Sequence, residues 1–132
     1  MKKSVFKLCI APLCLLLCST QCEDDIPSIN QDTQAQELTI LKTDIETIAG
    51  ASICNTTFEC KFIAFGSKPC GGPWRYLIYS TSIDIETLES MVENYNQMEA
   101  EYNEAFGIAS NCAIENPPTS INCENNECVA VY

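Results

Sequence analysis

The clearest hydrophobic pattern in the chain runs from Ser82 to Phe106. Ile85, Leu88, Val92, Tyr95, Met98, Tyr102 and Phe106 recur every three or four residues between polar positions. That spacing lines up one face of an α-helix and predicts a long amphipathic one. Ser82 or Asp84 suits its N-cap, Asp84 and Glu86 suit the positive end of its dipole, and Gly107 suits its stop. The opposite face carries Glu89, Glu93, Glu99, Glu101 and Glu104 with no basic partner. It reads as a solvated face, with a docking face for a basic protein as the alternative.

A narrower stripe, Leu38, Leu41, Ile45 and Ile48, predicts a shorter helix over 37–50, ending at Ala49-Gly50. It is expected to pack on the domain more than to stand as a stalk. Cys60 to Phe65 reads as a strand. Trp74 to Tyr79 reads as a second, apolar on both faces and therefore expected at the centre of a sheet. Pro117-Pro118 excludes regular structure at that point. Ser120 to Tyr132 reads as a hairpin turning on Asn125-Asn126, because asparagine tolerates the positive φ of a two-residue turn. The fold class expected is α+β: a small disulfide-braced domain with one long amphipathic helix on a short antiparallel sheet, preceded by a shorter N-terminal helix.

Between the two strands lies Gly66-Ser-Lys-Pro-Cys-Gly-Gly-Pro-Trp-Arg75, which no helix or central strand accommodates. It carries the only tryptophan and the only arginine of the chain. Lys61, Lys68, Trp74 and Arg75 are the candidate recognition residues, since Trp and Arg are the usual anchors of binding surfaces. The competing expectation, and the favoured one, is structural: Trp74 fills the core beneath the helix while the glycines allow a tight turn.

The first residues bear on the compartment. Lys2, Lys3 and Lys7 precede an apolar run from Leu8 to Leu17, broken only by Pro12. A bilayer span needs about 20 residues, so the run fits a secretory signal peptide over 1–21. An acidic flexible tether over 22–36, the helix over 37–50 and a cystine domain over 51–132 complete the expected organisation.

Cys18-Ser-Thr-Gln-Cys22-Glu-Asp-Asp resembles the lipid-modification site of bacterial lipoproteins, although the usual small residue is absent before either cysteine. The acidic Glu23-Asp24-Asp25 resembles the tag that directs lipoproteins of Bacteroidota-type bacteria to the cell surface. Parity also favours Cys22 over Cys18. Of ten cysteines, cleavage before Cys22 leaves that residue for acylation and six others, an even number for three bridges: Cys54, Cys60, Cys70, Cys112, Cys123 and Cys128. Two or more acyl chains give stable anchorage. The expected location is the bacterial outer membrane, facing outward, with the periplasmic face or secretion as alternatives.

Removal of residues 1–21 leaves 4 basic against 18 acidic residues, a net charge of −14. Nucleic-acid binding, which needs clustered cations, is excluded as a function class. There is no histidine, which removes most hydrolytic triads and the commonest metal ligand. Cys70, near Lys68 and Arg75, is the one candidate thiol nucleophile, and a disulfide is the better expectation in an oxidising compartment. No Cys-x-x-Cys pair is present, so zinc is not expected. The acids of the long helix lie along a rod and do not converge on calcium. No cofactor and no catalytic residue is assigned.

Six cysteines allow fifteen connectivities. If the helix folds back antiparallel over the second strand, Cys112 returns near Cys70. Cys123 and Cys128 either pair with each other across the hairpin or cross to Cys54 and Cys60.

The order Cys54, Cys60, Lys68-Pro69-Cys70-Gly71-Gly72-Pro73, long helix, Cys112, Pro-containing link, Cys123 and Cys128 resembles a group of small cysteine-rich bacterial lipoproteins. The resemblance covers about residues 50 to 132 and implies compartment and disulfides, but no activity. The function expected is a surface-exposed, lipid-anchored binding or structural protein without catalysis. Its expected partners are the membrane, through acyl chains on Cys22, and an extracellular or envelope protein. The alternative is a protease inhibitor presenting Lys68 on a disulfide-pinned loop, with Pro69 directly after Lys68 counting against it.

Overall fold

The computed structural model describes residues 26–132. The signal-peptide region, Cys18 and Cys22 lie outside the described residues. Among the described residues the architecture is α+β, with two helices, two small antiparallel sheets and three disulfides. In chain order the elements are α1 (Ile26–Gly50), β1 (Cys60–Phe65), β2 (Arg75–Ser80), α2 (Ile85–Phe106), β3 (Ser120–Glu124) and β4 (Glu127–Val131). Among the described residues no helix is long and apolar enough to cross a membrane.

α2 is built as its periodicity predicts, with Leu88, Val92 and Tyr95 buried in the core and Met98 and Tyr102 packed against it. Asp84 is the N-cap, its carboxylate accepting from the Thr87 amide at 3.1 Å. A bond from the Thr87 hydroxyl, together with this one, holds the Asp84 carboxyl below its usual range. Ser82 has other work: its hydroxyl accepts from the Ile53 amide and joins Ser80, tying the end of β2 to the segment after α1. Gly107 closes α2 at φ 60°.

α1 starts ahead of residue 37, where the N-terminal helix is expected to begin. It takes in residues 26–36, expected as part of a tether. The reason is tertiary. α1 runs antiparallel to α2, so its early turns meet the far end of α2, where Gln31 donates to the Tyr102 hydroxyl. Leu38, Ile45 and Ala49 form its buried stripe.

β1 and β2 pair antiparallel, Cys60 opposite Ser80 and Phe65 opposite Arg75. Alternation sends Phe65, Leu77 and Tyr79 to the helices, where they join Ile45, Leu88 and Val92 in the core. β2 is not central, since among the described residues its sheet has two strands. It is apolar on both faces because the helices cover one and the C-terminal hairpin packs on the ribbon as well, β4 beside β2 and β3 beside β1. That hairpin turns on Asn125 and Asn126, at φ 51° and 66°.

Cys54 bonds Cys123, Cys60 bonds Cys128 and Cys70 bonds Cys112. Cys123 and Cys128 face each other in the hairpin ladder, yet each crosses to an earlier part of the chain. The hairpin is thus stapled by two links, one to β1 through Cys60 and one to the segment between α1 and β1 through Cys54.

Candidate functional site

The loop joining β1 to β2, residues 66–74, is held from below by α2. Asn96, Glu99 and Asn103 lie three and four residues apart, so they share one face of the helix. The Gly66 amide donates to Asn96 Oδ1 at 2.6 Å, and Asn96 Nδ2 donates to the Ala64 carbonyl at 3.0 Å. The Ser67 amide donates to Glu99 Oε2 at 2.5 Å, and Asn103 Nδ2 donates to the Ser67 carbonyl at 2.7 Å. Glu99 also accepts from the Tyr95 hydroxyl. Within the loop, Lys68 and Gly71–Gly72 exchange backbone hydrogen bonds at 2.8 Å. Each polar backbone group so engaged is one that needs no water, which makes this irregular segment stiff.

Gly66 is required twice over. Its φ is +84°, and an added Cβ would lie 2.6 Å from the Trp74 ring.

Lys68 is not a surface residue. Its side chain is 2% exposed, and its ammonium donates to the Ala113 carbonyl at 2.7 Å and to Glu115 at 3.3 Å. It also lies 5.4 Å from the centre of the Trp74 ring. A lysine that enters a protease pocket has to project from the surface, and Lys68 does not. Trp74 does not fill the core either. It is 40% exposed, while Phe65 and Tyr95 fill the core there, their rings 4.9 Å apart. Arg75 is exposed, paired with Glu46 of α1 and set over the Phe65 ring.

Trp74 and Arg75 line a groove of about 430 Å³ between α1, α2 and the loop. Leu38, Phe65, Tyr95 and Tyr102 give it an apolar body, while Lys42, Arg75 and Glu99 supply its charges. Lys61 lies elsewhere, beside a hollow lined by Phe62, Tyr79, Glu89 and Ile121. The four candidate recognition residues thus separate into two on the groove, one inside the protein and one on β1. Lys42 and Tyr102 had no signal marking them as groove residues, because each reads as an ordinary helix position until the other helix is placed.

The acidic face of α2 is also less solvated than its sequence suggests. Glu89 accepts from the Tyr79 hydroxyl at 2.6 Å, as Glu99 does from Tyr95. Burial first, and then the neighbouring carboxylate, push both phenols well above the usual tyrosine range.

The sulfurs of Cys54, Cys60 and Cys128 lie within 4.8 Å of one another. They belong to two adjacent disulfides, and a disulfide sulfur offers no thiolate to a metal. Cys70, joined to Cys112, likewise has no thiolate to act as a nucleophile.

A scan against protein-family models, a search of curated proteins and a search of solved structures each return no match to this chain.

Proposed function

We propose that this chain is a lipid-anchored binding or structural protein of the bacterial outer membrane, exported by residues 1–21, acylated on Cys22 and facing the cell surface. The polar residues ahead of α1 serve as its tether. It works by binding and not by catalysis, through the groove beside Trp74, and its partner is an extracellular or envelope protein.

One observation carries the reading: the sole tryptophan is half-exposed on a rigid frame, next to the sole arginine. Trp and Arg concentrate binding energy where they are pre-placed. A loop already ordered by α2 and by Cys70–Cys112 has little conformational freedom left to lose on association. The net charge of −14 after export disfavours nucleic acid and anionic surfaces, and gives the two groove cations, Lys42 and Arg75, local contrast.

Crosslinking and capture with the full chain, against a Trp74→Ala/Arg75→Ala variant, tests the groove. Loss of the wild-type partner is expected, and an unchanged partner set would remove the groove from the function. Cys22→Ala is expected to release the protein from membranes. A variant that stays membrane-bound would refute the anchor.

A further inference from the structure

The segment that Lys68 reaches across to is built differently from the rest of the molecule. Residues 108–118 contain no helix, strand or turn. Ile114, at their centre, is 87% exposed, the most exposed large apolar side chain among the described residues. Single exposed apolar side chains are ordinary, but this one stands on an unusual backbone. Among the described residues, 109–118 make no backbone-to-backbone hydrogen bond. Their flanks, however, are fixed. Cys112 is bonded to Cys70 on one side, and Pro118 is buried on the other.

Lys68 adds the decisive element. Its buried ammonium holds the Ala113 carbonyl and the Glu115 carboxylate together. One cation therefore grips residues on both sides of Ile114, and so on both sides of the Ile114–Glu115 peptide bond. We infer that residues 112–116 are a protease-facing loop that inhibits a serine-type endopeptidase with an apolar primary pocket, with Ile114 entering that pocket. This surface is separate from the groove beside Trp74 and does not depend on it.

Three features favour such a role. A segment without backbone-to-backbone hydrogen bonds of its own fits an endopeptidase cleft, which pairs with its ligand as an added strand. A single protruding isoleucine suits an apolar primary pocket, and Pro117 stands clear of the bond to be attacked, unlike Pro69 beside Lys68. Fixed flanks reduce the ordering cost of docking.

The same fixation governs the chemistry. The protease nucleophile attacks the Ile114 carbonyl carbon, the Ile114–Glu115 C–N bond breaks, and the Glu115 amine takes the proton. Lys68 keeps Ala113 and Glu115 in place. Cys54–Cys123 and Cys60–Cys128 each join a residue before the break to one after it, so the two halves stay together. The retained amine re-attacks the acyl carbon, restores the peptide and frees the nucleophile. The protease is held, and net hydrolysis is slow.

The test is a panel of chymotrypsin-like, elastase-like and trypsin-like enzymes titrated with the detergent-solubilised full chain, followed by mass spectrometry with and without reduction. Inhibition of an apolar-specific enzyme is expected, with slow cleavage only between Ile114 and Glu115 and the fragment released only on reduction. Ile114→Asp should weaken inhibition by about 100-fold or more, and Ile114→Lys should transfer it to the trypsin-like enzyme. Ile40→Ser, which removes another exposed isoleucine on α1, should change nothing. Lys68→Met should turn the inhibitor into a substrate. Because that variant also alters packing, the exposed Ile114 substitutions are the deciding ones. No inhibition of any panel member overturns the proposal, as does rapid cleavage at Ile114 without inhibition, or inhibition indifferent to Ile114→Asp.

Discussion

Residues 66–74 and residues 108–118 are both irregular, are joined by Cys70–Cys112 and share Lys68. They differ in how their polar groups are used. The first is held by Asn96, Glu99 and Asn103 from beneath. The second is held at its flanks and by one ammonium, and its side chains from Asn111 to Pro117 are exposed. Irregular backbone becomes rigid scaffold when neighbours satisfy it, and remains open to a partner when they do not. The covered loop shapes a groove, while the open segment presents a side chain.

The most severe way to disturb this contrast is at the shared crosslink. Cys70→Ala/Cys112→Ala removes a link between residues 42 apart, and should cost about 4 kcal/mol in a denaturant melt by the loop-entropy estimate. Hydrogen exchange in that variant should rise more in 108–118 than in 66–74. Equal rises would show that α2 does not hold the first loop independently.

Gly66→Ala should come next, at about 2 kcal/mol, because it combines a positive φ with a clash against Trp74. The fluorescence of the single tryptophan should shift in the same variant. Asn103→Ala, which frees the Ser67 carbonyl, should cost about 1–2 kcal/mol and raise exchange in 66–74 alone.

The phenol of Tyr95, bonded to Glu99, reports on the clamp side of the same contrast, and that of Tyr79 on the neighbouring Glu89. Both have folded values raised above the ordinary tyrosine value of 10.0. The fold therefore favours their protonated forms. That contribution is fully present below pH 10.0 and is lost as pH rises through the folded values. In an alkaline titration of phenolate absorbance, Tyr79 and Tyr95 should ionise late, together with unfolding. The smallest effect is expected at Ile114→Ser, within about 0.5 kcal/mol, since so exposed a side chain does little for the fold. A large loss of stability there would contradict its role as a side chain kept for a partner.

Local features were legible without the structure. The stripe of α2, a start at Ser82 or Asp84, the Gly107 stop and the Asn125–Asn126 turn each depend on neighbours a few residues away. The candidate site was legible only in part. Trp74 and Arg75 were marked by residue type, but Lys68 was marked as a surface cation and lies inside. Nothing near Lys68 in sequence announces Ala113 and Glu115, which are 45 and 47 residues away.

Periodicity, turn chemistry and cysteine parity were thus enough for the class of fold, the order of its later elements and the number of crosslinks to expect. What those elements do to one another came from tertiary packing. Packing extended α1 along α2, placed a hairpin against β2 in place of further strands, and selected the crossed disulfides over the local one. It also converted Asn96, Glu99 and Asn103 from a polar helix face into a clamp. The physical reason is the range of the forces involved. Backbone preference acts within a turn or two, whereas burial of a lysine or a glutamate is set by groups that only folding brings within hydrogen-bonding distance.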